Sequence, residues 1–323
     1  MYSGIVNVYK QQGFTSHDVV AKLRGIYGQK KIGHTGTLDP MAEGVLIVCL
    51  GQATKLSGLI LSSSKEYRAT MKLGVVTDTD DITGKVLNGM DRLTEQSSAM
   101  GSSLVNKLFS DKDAFRQKVL EVMNKHLGKS MQIPPKYSAI KVDGKKLYEY
   151  ARAGIEIEIK PRPIEIYSLE LQDINYETAE ITFDVKCSKG TYIRSLIRDM
   201  GEELGVGATM SGLLRNEVNG LKAEDGFTID ALQKLKEEDD LGKSVMSMDA
   251  LLNGFAAVNV RPEAEKMLVN GNRLGVEDIE IVSDITEQEL WQKEFFRVYL
   301  GNELKALYAY DASKNNYKVY KML

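Results

Sequence analysis

The chain has 323 residues, 43% hydrophobic and 27% charged, with 28 glycines, 6 prolines and a formal net charge of -3. At about 150 residues per domain this length predicts two domains, and the composition excludes collagen-like, disordered and disulfide-scaffold classes. No apolar run approaches the roughly 18 residues of a membrane span, and the opening Met1-Tyr2-Ser3-Gly4 lacks a secretory signal's basic and apolar regions, so a cytoplasmic protein with no membrane partner is expected.

Residues 5–9 alternate as a short strand, and residues 16–27 place Val19, Val20, Leu23 and Ile26 at helical spacing behind a Thr15/Ser16 cap with Asp18 in the first turn. Residues 33–44 hold Gly33, Gly36, Gly44 and Pro40 without periodicity and read as a loop feeding the apolar strand 45–50. A helix over 52–61, a strand over 66–73, a polar turn over 77–84 and a helix over about 94–127 are expected next, with Pro134-Pro135 closing that region. Then come a strand at 138–142, a short helix at 147–152, strands at 155–159, 164–171 and 181–187, a helix at 192–204 and strands within 209–217. The acidic run Glu237-Glu238-Asp239-Asp240 with Gly242 reads as a linker or an exposed helix end, which divides the chain into 1–245 and 246–323. The second part offers a strand at 256–260, a helix at 262–269 closed by Gly271, an acidic connection and strands at 295–300, 304–310 and 317–320, a small β-rich module.

Cys49 and Cys187 each sit in a strand-like apolar run and read as reduced, buried thiols. The three histidines, His17, His34 and His126, have no metal-ligand spacing, so no metal is expected. The global charge hides an uneven distribution: residues 1–72 carry nine Lys/Arg against four Asp/Glu, and residues 229–323 carry twelve against seventeen. A second basic stretch, 129–162, has eight Lys/Arg against four acids with Tyr137, Tyr148 and Tyr150 interleaved. That composition suits a surface that holds a phosphodiester and stacks bases, and equally a solvated face.

Three features carry candidate chemistry. In Gly33-His34-Thr35-Gly36-Thr37-Leu38-Asp39-Pro40 the glycines permit close backbone approach and Pro40 restricts Asp39, so one carboxylate is held still; an ordinary Asp-Pro turn has the same look. In Lys189-Gly190-Thr191-Tyr192-Ile193-Arg194-Ser195-Leu196-Ile197-Arg198, Arg194 falls in the first turn of a helix, where the macrodipole disfavours a cation unless an anion lies near; a solvated arginine is the alternative. Tyr67, at a strand start in Lys65-Glu66-Tyr67, is either a site aromatic or core packing.

The order of Lys10-x-x-Gly13-x-Thr15-Ser16, the Gly33–Pro40 loop, Lys65-Glu66-Tyr67, Pro134-Pro135-x-Tyr137-Ser138-Ala139-Ile140-Lys141 and Gly190-Thr191-Tyr192-Ile193-Arg194 resembles the TruB family of tRNA pseudouridine-55 synthases from about residue 4 to 221, and the tail is similar to a PUA RNA-binding module. The resemblance implies an α+β pseudouridine synthase fold with a mostly antiparallel mixed sheet. It implies that Asp39 is the catalytic carboxylate, that Arg194 pairs with it and keeps it ionised, and that Tyr67 stacks on the base and helps remove the C5 proton. His34 resembles the residue that takes up stacking space in the opened T loop, and Lys10 and Leu213 resemble residues lining the uridine pocket. The segment 131–162 is the expected thumb-like grip on RNA, with Lys136, Lys141 and Arg152 on phosphates. A flipped uracil needs an aromatic face, an apolar side chain and a fixed carboxylate, and the isomerisation needs no cofactor. Asp39 could add to C6 of uracil, attack C1′ of the ribose, or act as base in a glycal route. The implied enzyme is an isomerase acting as a monomer without an obligatory protein partner on the T stem-loop of tRNA, its tail on the acceptor side. The competing readings are a guide-RNA-dependent relative and a non-catalytic tRNA-binding or folding protein. The sequence departs from the family at Gln11, where proline is usual, at Leu214, where arginine is common, and in a longer segment over about 96–116.

Overall fold

A computed structural model describes residues 1–61, 64–87 and 105–323. The larger of its two main sheets has nine strands: β1 (Gly4–Lys10), β2 (Ile32–Thr35), β3 (Glu43–Leu50), β4 (Lys65–Leu73), β5 (Gly128–Gln132), β8 (Arg162–Asn175), β9 (Glu180–Cys187), β10 (Ala208–Val218) and β11 (Leu221–Lys222), while β6 (Lys141–Val142) and β7 (Lys145–Lys146) form a separate hairpin. Its order is β1-β3-β10-β4-β9-β8-β5, with β2 beside β3 and β11 beside β10. Every pair is antiparallel except β3 with β10.

Four helices cover the sheet. In α1 (Ser16–Tyr27), Thr15 and Asp18 form a capping box, and Val19, Val20, Leu23 and Ile26 pack with Val6, Val8, Leu46, Val48 and Leu50. The same cluster takes Ile229 and Leu232 from α4 (Ile229–Glu237). Elsewhere α2 (Lys112–Lys125) and α3 (Ile193–Leu204) bury Phe115, Val119, Leu196, Ile197 and Met200 against Ala69, Met71, Phe183, Val185 and Met210. The β4 sequence shows why Tyr67 points inward: Lys65, Tyr67, Ala69, Met71 and Leu73 are buried. On its other face Glu66 pairs with Lys186, Arg68 with Asp184, and Thr70 bonds Thr182, all directly opposite on β9.

Several elements differ from expectation. Residues 32–35 pair as β2 inside the expected loop. Of the helix expected over 94–127, residues 94–104 lie outside the described residues; beyond them it is not continuous, because Asp111 is extended and caps α2 through Ala114 N. Residues 51–61 form a 3-10 turn, Gly51–Leu56, before the helix Ser57–Leu61. The strand expected at 138–142 shrinks to β6, which turns back to β7 through Asp143 and Gly144, both left-handed at φ 49° and 83°. Residues 155–159 alternate but form no strand, since Ile155 is exposed and no edge among the described residues pairs with them. The helix α4 was hidden by the acidic run at its end.

The tail forms a five-stranded sheet in the order β13-β12-β14-β15-β16, from β12 (Ala257–Val260), β13 (Ile279–Ile281), β14 (Phe296–Leu300), β15 (Glu303–Asp311) and β16 (Asn316–Met322), around Val258, Leu268, Phe296, Val298, Tyr308 and Tyr317. Before it, Met246 exchanges two backbone hydrogen bonds of 2.8 Å with Ile5, and Leu252 clusters with Leu56, Phe295 and Leu307.

The parallel junction of β3 and β10 sets the site's geometry. It aligns Glu43 with Leu214 and Gly44 with Arg215, and Gly44 has φ 100° with the Arg215 carbonyl only 2.3 Å from where a Cβ would stand. Only glycine permits that approach. Gly44→Ala is therefore expected to cost about 3 kcal/mol, from left-handed strain and the backbone clash, and to lower the denaturant midpoint clearly; an unchanged midpoint would show that the junction yields easily.

Candidate active site

Asp39 lies on the loop between β2 and β3, and residues near the chain start hold that loop. Lys10 Nζ donates to the Ala42 carbonyl at 2.5 Å and to that of Pro40 at 3.4 Å, Gly13 N donates to the Pro40 carbonyl at 2.8 Å, and Leu38 N donates to Ser16 Oγ at 2.9 Å. The spacing Lys10-x-x-Gly13-x-x-Ser16 is thus a clamp on the loop.

Arg194, the second residue of α3, meets Asp39 edge to edge. Its Nε lies 2.9 Å from Oδ2 and its Nη2 donates to Oδ1 at 3.2 Å, the bidentate arrangement that fixes a carboxylate plane. Nη1 donates to the Thr79 carbonyl at 3.0 Å and Nη2 also to that of Tyr137 at 2.9 Å. The Arg194 side chain is 6% exposed and that of Asp39 33%. A second acid, Asp81, lies 3.7 Å from Arg194 Nη1, and its Oδ1 accepts from Thr79 Oγ1, Thr83 N and Thr83 Oγ1. Sequence reasoning missed Asp81, which sat in a stretch read only as a polar turn.

Burial and the Asp81 charge push the Asp39 carboxyl above its ordinary range, and the pull of Arg194 and Lys10 toward ionisation does not cancel them. Burial also pushes the Tyr67 hydroxyl up to about 12, although Arg215 hydrogen-bonds to it. Arg215 is fully buried, donating to the carbonyls of Val45 at 2.7 Å and Gly36 at 3.1 Å. Lys10 and Lys65, both buried, are lowered to about 8, mainly by desolvation.

These groups surround a cavity of about 500 Å³ whose wall includes Asp39, Tyr67, Arg194, Leu213, Arg215, Lys65, Tyr137 and Tyr148. Lys10 and His34 do not line it. Lys10 is spent on the loop carbonyls, and His34 stacks edge-on against His17 at 5.3 Å, with burial lowering its pKa. Lys136, Lys141 and Arg152 are also outside the wall, exposed on the 131–162 segment, where Lys146 and Arg152 stand 5.3 and 5.4 Å from the Tyr148 ring. Among the described residues no helix is long and apolar enough to cross a membrane.

Comparison with known proteins agrees with this geometry. Residues 24–193 match the N-terminal domain model of TruB family pseudouridylate synthases, and residues 194–253 match the tRNA pseudouridylate synthase B C-terminal domain. A tRNA pseudouridine synthase B of Clostridium perfringens is 43% identical over 93% of this chain and 92% of its own; the Clostridium tetani protein of that name is 37% identical over 99% of both. The crystal structure of a Cbf5-Nop10-Gar1 complex superposes with TM-score 0.69 at 26% identity, over 99% of this chain and 84% of that one. A carboxylate loop, a buried arginine partner and a cavity beside an inward tyrosine on a mixed α+β sheet thus sit in a pseudouridine synthase fold. The chain belongs to the TruB family of pseudouridylate synthases and is an enzyme of the isomerase class.

Burial holds the Asp39 carboxyl above the ordinary value of about 3.9, so a reacting Asp39 would place the acid limb of single-turnover pseudouridine formation above that pH. Asp81→Asn removes a negative charge that raises Asp39, so the limb should move to lower pH whatever the plateau rate. A limb that stays put or rises assigns the titration to another group.

Proposed function

We propose that the protein isomerises uridine 55 in the T loop of tRNA to pseudouridine, as a single chain without guide RNA or cofactor, with Asp39 as the reacting carboxylate. The observation that carries this reading is the bidentate hold of buried Arg194 on Asp39 at the wall of a cavity shared with Tyr67 and Leu213. A uracil stacked inside folded RNA must be extruded before its glycosidic bond is reachable. The Tyr67 ring and Leu213 then offer an aromatic and an apolar surface to the flipped base. The N1–C1′ bond breaks, the base turns, C5 bonds to C1′, and the C5 proton is lost as N1 gains one, so atoms balance with no redox partner. Asp39 enters by adding to C1′ or C6, or by removing a ribose proton in the glycal route. A desolvated, raised carboxylate is a stronger base and nucleophile than a solvated one, and Arg194 fixes its direction.

Lys136, Lys141 and Arg152, with Tyr148 between cations, serve as the phosphate grip of the 131–162 segment on the T stem-loop. Lys10 and His34 act from behind the cavity, Lys10 on the Asp39 loop and His34 as filler when the T loop opens. Residues 1–245 act as the catalytic unit and residues 246–323 as a PUA-like module on the acceptor side, in a monomer working in the cytoplasm. Relatives 43% identical are named for tRNA, whereas the Cbf5 likeness is 26%, which favours the tRNA reading over a guide-dependent one.

Purified protein with an unmodified tRNA transcript and nothing else should form pseudouridine at position 55. Product elsewhere, or only with added guide RNA, overturns the reading. Asp39→Asn should leave less than about a tenth of the single-turnover rate while tRNA affinity stays within a few fold, since binding is spread over phosphates. Replacing Lys136, Lys141 and Arg152 by Gln should flatten the log-log salt dependence of binding by about 0.7 to 0.9 per lost phosphate contact; an unchanged slope marks that face as merely solvated.

A further inference from the structure

One turn beyond Arg194 on the same helix, Arg198 repeats its neighbour's pattern without reaching the cavity. Nη1 donates to Asp80 Oδ2 at 3.2 Å, Nη2 donates to the Ile133 carbonyl at 3.1 Å, and Nε and Nη2 grip Asp199 Oδ1 at 2.9 and 2.8 Å. Its side chain is 23% exposed and that of Asp80 14%.

The two arginines bind the same pair of segments. From the acidic turn, Arg194 takes the Thr79 carbonyl and Asp81 while Arg198 takes Asp80. At the root of the 131–162 segment, Arg194 takes the Tyr137 carbonyl and Arg198 that of Ile133, on either side of Pro134-Pro135. Just before it, Gln132 exchanges two side-chain bonds with the Tyr192 backbone, at 2.9 and 3.1 Å. The acidic turn is itself fixed to β10, since Met210 N donates to the Asp80 carbonyl and Ile82 N to that of Met210. Arg198 therefore ties a chain root to an anchored turn. Arg194 Nη2 is shared between the Tyr137 carbonyl and Asp39 Oδ1, so a shift of that root reaches the carboxylate.

We infer that Arg198 is a positioning residue for the pseudouridylation site, holding the root of the 131–162 segment, through Asp80 and the Ile133 carbonyl, in register with the Arg194–Asp39 pair. An isolated exposed ion pair would contribute little, but a bridge among three segments fixes geometry, and a misplacement of about 1 Å can cost up to 100-fold in rate.

The test uses the full chain with an unmodified tRNA transcript. Arg198→Met keeps the length and removes the donors; its single-turnover rate should fall about tenfold or more while the tRNA Kd stays within about threefold. Its acid limb should move to higher pH, because a displaced Arg194 lowers the Asp39 pKa less. Arg198→Lys, which can still reach Asp80, should recover part of the rate. Asp80→Asn should shift rate and limb in the same direction, and adding it to Arg198→Met should change little further. A wild-type rate and limb in Arg198→Met, or a rate loss wholly explained by weaker binding, overturns the assignment. If Arg198→Met does not fold, Asp80→Asn decides alone: an unshifted limb overturns the inference. It rests on Asp39 as the reacting group, so Asp39→Asn is assayed in parallel. Activity surviving there removes the proposed chemistry, whereas an inactive Asp39→Asn beside unaffected Arg198 variants removes only the positioning role.

Discussion

The burial of one guanidinium constrains the rest of the nine-stranded half. Taking the Arg194 charge out of water costs several kcal/mol, recovered only where good acceptors surround it. Its acceptors are Asp39, the Thr79 carbonyl and the Tyr137 carbonyl, drawn from three segments, and Asp39 is 155 residues away in sequence. Loop 36–42, the acidic turn and the root of the 131–162 segment must all be in place before that charge is satisfied. The pair is better understood as an organiser of these segments than as a source of stability, since a buried ion pair rarely outperforms an apolar substitute.

The electrostatics around it follow from the same burial. Arg194, Arg215, Lys10 and Lys65 gather near Asp39, Asp81 and Tyr67 in a region poorly reached by water. Desolvation raises Asp39 and Tyr67 and lowers Lys10 and Lys65, so these four groups lie closer to neutrality than they would in solvent. The Arg215 guanidinium is surrounded by carbonyl oxygens and a phenol. The cavity wall is thus preorganised and cationic, as a polyanionic substrate requires.

Much of this was legible before any coordinates. The helix Ser16–Tyr27 was readable to the residue because cap and periodicity agree, and the short helix Leu147–Arg152 was placed with the same bounds. Strands β4 and β9 alternate cleanly because one face is covered and the other is polar. Where sequence reading failed, the deciding partner was remote. Residues 32–35 become a strand because the β3 edge is available, whereas 155–159 alternate and find no edge. Asp39, Tyr67 and Arg194 could each be singled out, and motif order grouped them, but Asp81 lay in a stretch read as a polar turn, and Arg198 stood in the Lys189–Arg198 stretch with no role assigned. What each touches across 60 residues or more appears only in the fold. Lys10 shows the reverse case: its position was noticed, yet only its bonds to the Pro40 and Ala42 carbonyls reveal that it holds the loop and not the cavity wall.

The place of β10 in the sheet also has a meaning in time. It lies between β3 and β4, the last of the main strands to leave the ribosome and the one that joins β1, β2 and β3 on one side to β4, β9, β8 and β5 on the other. Arg215 reaches Val45 across 170 residues. At synthesis rates of about 5–20 residues per second, the nascent chain carries two open strand edges for several seconds before that insertion, the interval in which it is most exposed to mispairing. The cavity wall draws on both halves and on β10 itself, through Asp39, Tyr67 and Leu213, so it is completed in the same event that closes the edges. A chain lacking β10 therefore has neither a sealed sheet nor a complete cavity, and the two arrive together.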